Sequence, residues 1–158
     1  MNIMQTLLSH SIEQTYLIGK HFGEILREPI FFAIDGDLGS GKTHFVQGLA
    51  KGLDVSTVPR SPTFAIMEEY EGRLPLLHVD FYRLEESELL PLGLEEQLEL
   101  WPGVIAVEWA NRFPFLFPSP PIYVHIRIIE NDVRQFQLSG KEHESVLREF
   151  QAQCDFLQ

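Results

Sequence analysis

The sequence has little with which to build a secreted or membrane-bound protein. One cysteine, Cys154, stands among 158 residues, so no internal disulfide can form and no oxidising compartment is needed. No apolar run approaches the roughly 18 residues of a membrane-crossing helix. The opening MNIMQTLLSHSIEQ lacks the basic start and long apolar stretch of a secretion signal. These absences predict a cytoplasmic protein. Basic residues are also scarce: 12 Lys and Arg against 23 Asp and Glu give a net charge of -11 with His neutral. That balance argues against broad contact with nucleic-acid phosphates, which takes clustered Lys and Arg, and it permits a basic protein partner. The histidines show no metal-ligand spacing, which argues against zinc. No repeat, low-complexity tract or linker-like break divides the chain. Residues 1–158 therefore read as one domain with one core.

What is present alternates between helical and extended patterns. Ser11 is a helix N-cap candidate, and Ile12, Thr15, Tyr16, Gly19, Phe22, Gly23 and Leu26 follow at helical spacing, predicting a helix over 12–27 that Pro29 ends. The apolar run from Ile30 to Ile34 predicts a buried central strand. A glycine-rich turn, 36–41, and a helix over 42–52 follow. Phe64–Tyr70 and Leu74–Phe81 predict an antiparallel hairpin turning at Glu71-Gly72-Arg73. The acidic, Leu-rich stretch 85–99 predicts one or two short helices, and 103–107 a second buried strand ending at Glu108. After a proline-punctuated loop, 122–129 and 133–138 predict another hairpin, and 141–153 a last helix. The fold class is α/β: a single P-loop NTPase-like domain with a mixed parallel/antiparallel sheet flanked by helices.

The chemistry starts at Gly36, where GDLGSGKT ends at Thr43. Glycine, four residues, then Gly-Lys-Ser/Thr is the phosphate-binding loop pattern. Its glycines let the backbone turn tightly and aim N–H groups at phosphate oxygens. Lys42 places a compact positive charge beside the β- and γ-phosphates, Thr43 offers a hydroxyl to Mg²⁺, and the following helix adds the positive end of its dipole. The order strand, glycine turn, helix is the one this motif requires. Guanine-specific relatives carry Asn-Lys-x-Asp; Lys20, Lys42, Lys51 and Lys141 have no such context, which leaves ATP as the expected nucleotide.

Such a site needs an acidic partner for the metal at the end of a neighbouring strand. Two residues qualify. Glu108 follows Val104-Ile105-Ala106-Val107, and Asp80 follows Leu76-Leu77-His78-Val79. Glu108 has the better buried strand before it, and Asp80 could orient the attacking water or touch the γ-phosphate. Ser61-Pro62-Thr63-Phe64 lies where a switch threonine would sense γ-phosphate and metal, or forms a plain Ser-Pro turn.

GDLGSGKT, SPTFAIMEEY, HVDFYRLE and VEWANR, in that order and spacing, closely resemble the TsaE (YjeE) family, small bacterial ATPases of tRNA threonylcarbamoyladenosine synthesis. The resemblance runs from about Ser11 to Arg134. It implies slow ATP hydrolysis in the service of TsaD and TsaB, the transferase pair that modifies adenosine 37 of ANN-decoding tRNAs, so that tRNA is met only through the complex. By the same resemblance Leu38, Gly39, Ser40, Gly41, Lys42 and Thr43 hold the phosphates, Thr43 and Glu108 serve Mg²⁺, and Asp80 lies at the nucleotide. Ser11 and Arg134 match further nucleotide contacts, and Trp109 packs under the site. Lys42, Asp80 and Glu108 are the catalytic candidates. One departure stands out: His44 occupies a position where the family commonly has a second Thr or Ser facing the α-phosphate.

Two other readings compete. A small P-loop kinase would carry an arginine-rich lid, whereas Arg60, Arg73, Arg83 and Arg112 are scattered. A nucleotide-dependent adaptor would bind ATP without turning it over.

Overall fold

Strand β2 (Phe31–Gly36) begins with four fully buried residues, because it lies in the middle of a sheet covered on both faces, where a strand must be apolar throughout. The computed structural model describes residues 4–59 and 66–154. Within them the strands are β1 (Met4–Ser9), β2, β3 (Met67–Tyr70), β4 (Leu76–Asp80), β5 (Val104–Glu108), β6 (Ile122–Glu130) and β7 (Val133–Ser139). They form one seven-stranded sheet in the order β1-β7-β6-β2-β5-β4-β3. The four inner strands, β6, β2, β5 and β4, are mutually parallel. Antiparallel partners close both edges: β3 on β4, and β7 with β1 beyond β6. The mixed sheet is the predicted one.

The helices are α1 (Ile12–Ile25), α2 (Lys42–Gly52), α3 (Leu89–Leu92), α4 (Leu94–Leu100) and α5 (Glu144–Ala152). The element boundaries differ from the sequence reading by a few residues. The last helix starts as a 3-10 turn over Lys141–His143, the 85–99 stretch opens on another at Glu86–Glu88, and the proline-rich loop holds a third at Pro114–Leu116. The first hairpin strand is described from Met67 onward; the part of that expectation at 64–65 lies outside the described residues. Strand β1 is an addition that the sequence pattern did not reveal.

Side chains alternate across the inner strands. Phe32, Ile34, Leu76, Val104 and Ala106 face one core together with α1, α2 and α5. Phe31, Ala33, Leu77, Val79, Ile105 and Val107 face a second core, closed by Leu94, Leu98, Phe113 and Leu116. In the first core Phe22 and Phe150 stack at 4.0 Å between ring centroids, and Phe32 meets Phe22 edge-on at 5.6 Å, geometries that aromatic quadrupoles favour.

Two helices fix where the phosphate loop sits. A Cβ on Gly19 would lie 2.1 Å from Phe45 O, one on Gly23 2.4 Å from Leu49 O, and one on Gly48 1.9 Å from Tyr16 O. Only glycine lets α1 and α2 approach backbone to backbone. The pairing is parallel: Gly41 meets Thr15, Gly19 meets Phe45, and Gly23 meets Leu49. The two helix N-termini are thereby brought side by side. At the opposite end the Arg73 guanidinium donates to Gly23 O and Leu26 O, both at 2.6 Å, satisfying carbonyls that a helix C-terminus leaves open.

Candidate functional site

The turn between β2 and α2 is shaped by three glycines. A side chain on Gly36 would meet Ile126 O at 2.5 Å and Ser40 Oγ at 2.6 Å, while Gly39 (φ 78°) and Gly41 (φ 107°) adopt left-handed conformations that L side chains rarely take. Leu38 forms the exposed tip of the turn. No acidic residue occupies the first turn of α2, so the helix offers an uncompensated positive end to an anion.

Lys42 is only 5% exposed. Its Nζ donates to Gly36 O (2.6 Å) and Asp37 O (3.0 Å) and lies 4.2 Å from the Trp109 ring centroid. Burial pushes its pKa down, opposed by the negative charges of Glu108, Asp80, Asp35 and Asp37. An ammonium held by two loop carbonyls and a π-face is already aimed into the loop. Trp109 itself adopts φ 57° and packs on Tyr82 at 4.8 Å; its expected place under the site is the one observed.

Beside Lys42, Thr43 Oγ1 lies 3.1 Å and 3.2 Å from the two oxygens of Glu108. Parallel pairing of β4 with β5 sets Asp80 opposite Glu108. Of the two acidic candidates, Glu108 is the one that meets Thr43. A hydroxyl donating its hydrogen to a carboxylate keeps its lone pairs for a cation, and Mg²⁺ characteristically takes only one or two protein oxygens, completing its shell with water and phosphate. Thr43 and Glu108 are therefore the residues that could hold it. Asp80 stays half-buried, its Oδ1 accepting the Tyr82 N–H at 2.9 Å.

On the other flank a cleft is lined by Ser11, Thr15, Gly39, Ser40, Gly41, His44, Asp132 and Arg134. The register Ser9↔Arg134 between β1 and β7 and the parallel helix pair explain why residues so far apart in sequence converge there. Ser11 caps α1, its Oγ accepting the Gln14 N–H at 3.1 Å, and Arg134 donates to Gly39 O at 3.2 Å. Among the described residues, the candidate site residues are thus gathered on one end of the sheet. Sequence reasoning missed Thr15 and Asp132 in this cleft, and it missed His78, whose Nε2 lies 2.5 Å from Glu108 Oε2. An imidazole inside the apolar run LLHV was the available signal for the last.

Two of the scattered arginines have other duties. Arg73 ties helix ends, as above, and Arg112 donates to Phe81 O, Tyr82 O and Leu84 O, the last at 2.8 Å. Arg60 and the segment 61–64 with its switch candidate Thr63 lie outside the described residues.

Comparison with known proteins gives the family and the fold. Residues 9–137 match the family described as threonylcarbamoyl adenosine biosynthesis protein TsaE. The chain is 44% identical over 124 residues to the tRNA threonylcarbamoyladenosine biosynthesis protein TsaE of Nostoc sp., covering 76% of this chain and 75% of that one. It is 38% identical over 141 residues to the protein of the same description from Bacillus subtilis, covering 87% of each. The crystal structure of Bacillus subtilis YdiB superposes with a TM-score of 0.77 at 27% identity, over 96% of this chain and 97% of that one. Among the described residues no helix is long and apolar enough to cross a membrane. With a phosphate loop between β2 and α2 and matches of this extent, the chain is a P-loop protein that belongs to the TsaE family of tRNA threonylcarbamoyladenosine biosynthesis.

Proposed function

We propose that the chain binds ATP with Mg²⁺ in the cytoplasm and hydrolyses it slowly, supporting threonylcarbamoylation of tRNA adenosine 37 by the TsaD and TsaB pair. The observation that carries this reading is the contact of Thr43 with Glu108 next to Lys42, inside a loop that only glycines could form. On nucleotide binding Lys42 moves its ammonium from the loop carbonyls to the β- and γ-phosphates. Thr43 and Glu108 would hold Mg²⁺, which would neutralise phosphate charge as it develops. Asp80, at the neighbouring strand end, orients the attacking water. Ser11, His44 and Arg134 line the cleft that receives the rest of the nucleotide.

Two of the arginines support slow turnover in isolation. A P-loop enzyme gains about 10³–10⁵-fold from an arginine finger, and here Arg73 and Arg112 are committed to backbone carbonyls. A steady-state phosphate-release assay tests the proposal. The protein alone is expected to turn over slowly, and the purified TsaD–TsaB pair to accelerate it. Several turnovers per second alone, unchanged by the pair, would overturn it. Phosphate arriving on a metabolite would make the chain a kinase, and tight binding without release even with the pair would make it an adaptor. Lys42→Ala is expected to weaken ATP binding by roughly tenfold or more, since a charge-assisted contact contributes about 1.5–3 kcal/mol; affinity within about twofold of wild type would remove the cradle assignment. Glu108→Gln keeps the side-chain shape and is expected to lower phosphate release roughly tenfold or more with the fold intact by circular dichroism.

A further inference from the structure

His78 is wholly buried in β4, and nothing in the hydrolysis scheme uses it. Its Nε2 stands 2.5 Å from Glu108 Oε2, while its Nδ1 has no hydrogen-bond partner. Glu108 is 3% exposed, and its carboxylate also accepts from the Thr43 hydroxyl, a single hydrogen placed almost equally between both oxygens at 3.1 Å and 3.2 Å. That hydroxyl cannot fix the carboxylate alone. It has one hydrogen to give, and it must itself settle against a cation.

The imidazole differs in every respect. It is carried by an inner strand paired to β5 in register, with His78 opposite Ala106, whose small side chain leaves room for the ring on the face that also carries Glu108. A hydrogen bond to a carboxylate at this separation belongs to the strong, charge-assisted class. A polar atom buried without a partner is costly, so a leucine here would serve the strand better. The ring is accounted for by what Nε2 does, at the expense of an unpartnered Nδ1.

We infer that His78 is a positioning residue for the cation-binding pair: its Nε2–H pins Oε2 of Glu108, so that the carboxylate keeps one rotamer and presents itself to Thr43 and to the cation without rearrangement. It is the carboxylate that meets the metal; His78 acts only through it. Outer partners that orient metal ligands commonly contribute about 10–100-fold in metal affinity. The inference rests on the Mg²⁺ reading given above, and the experiment separates the two.

ATP affinity is measured with and without Mg²⁺ for wild type, His78→Leu and His78→Gln. Glutamine carries an amide N–H near the place of Nε2. Leucine is expected to lose roughly tenfold of the affinity gain that Mg²⁺ confers, with Mg²⁺-free affinity within about twofold of wild type, and glutamine to restore most of the gain. A full Mg²⁺ gain in the leucine variant overturns the role of His78 and leaves the Mg²⁺ reading standing, whereas no gain in wild type removes that reading first. A second measurement needs no core substitution at position 78. In ¹⁵N-histidine-labelled wild type without nucleotide, the His78 Nε2 is expected to bear the proton, with a resonance that shifts in Glu108→Gln. An Nδ1–H tautomer with bare Nε2 overturns the inference whether or not the leucine variant folds.

Discussion

On the face of the sheet that carries α1 and α2, backbones touch through glycines, five phenylalanines fill the core, and α2 starts at the phosphate loop. On the opposite face the cover is made of short pieces. Helix α3 is four residues long, Leu90 is 91% exposed and Leu100 71% exposed, and six glutamates lie between residues 85 and 99 with no Lys or Arg between 84 and 111. One face is specified to within a methyl group because the loop it supports must hold its shape. The other needs only to exclude water, and its surface is left to present leucines within a ring of negative charge. The closest packing lies behind the glycine-rich loop, and the exposed leucines lie on the face covered by short helices.

The sharpest way to break this comparison is to put a side chain where each face has a glycine. A Cβ at Gly48 would stand 1.9 Å from Tyr16 O, whereas one at Gly93 would meet nothing within 4 Å. Gly48→Val must push the helices apart and is expected to cost about 3 kcal/mol or more. Gly93→Ala pays only for a left-handed backbone, φ 61°, at about 1 kcal/mol. Urea midpoints with unchanged slopes measure both. Equal costs would show that the helix contact is no tighter than the turn.

The same contrast explains what could be read from the sequence. The phosphate loop, the buried strands on either side of it and the helix behind it obey local rules of glycine placement and apolar periodicity, and they stand where those rules put them. Strand β1 does not obey them. Its inward residues include Gln5 and Ser9, while Met4 and Leu8 point outward, so its alternation is inverted. Two inward polar atoms find partners far along the chain or across a turn: Gln5 Nε2 donates to Leu147 O, and Ser9 Oγ pairs with Thr15 Oγ1 at 2.8 Å. Periodicity cannot foresee such partners. The Thr43–Glu108 pair was half legible, since each residue belongs to a motif, but the register of β4 on β5 sets Asp80 beside Glu108, and only the contact with Thr43 tells the two apart. The cleft of Ser11, Thr15 and Arg134 depends on helix pairing and sheet order together, which no short window contains.

A gentler probe targets the exposed leucines. Leu90→Ser and Leu100→Ser remove little buried surface and are expected to change stability by less than about 0.5 kcal/mol and ATP affinity not at all. If the acidic, leucine-bearing face receives the partner pair, the stimulation of phosphate release by TsaD and TsaB falls in the double variant. Stimulation equal to wild type would move the docking surface elsewhere and leave this face as simple cover.

The smallest effect is expected where the two faces meet, at Asp35. It lies one residue before the end of β2, on the side of Phe31 and Ala33, and lines a cavity of about 320 Å³ with Trp109, Asn111, His125 and Arg127. Burial raises its pKa above the ordinary 3.8, against the pull of the Asn111 N–H bond and the nearby His125 and Lys42. A carboxyl with a raised pKa in the folded state binds its proton more tightly there than in the unfolded chain. Its contribution to stability is whole below the unfolded value and is lost as pH rises through the folded one. At neutral pH the folded protein therefore bears the cost of a half-buried charge. Asp35→Asn keeps an oxygen for the Asn111 N–H and removes that charge. The variant is expected to gain less than about 1 kcal/mol near pH 7, a figure discounted because the group stays partly open to water. The gain should shrink as pH falls and the native carboxyl takes up its proton. Denaturation midpoints of variant and wild type across this range measure it. A variant less stable than wild type at neutral pH would mean that attraction from Lys42 and His125 outweighs burial, and that Asp35 belongs electrostatically to the phosphate loop and not to the looser face behind it.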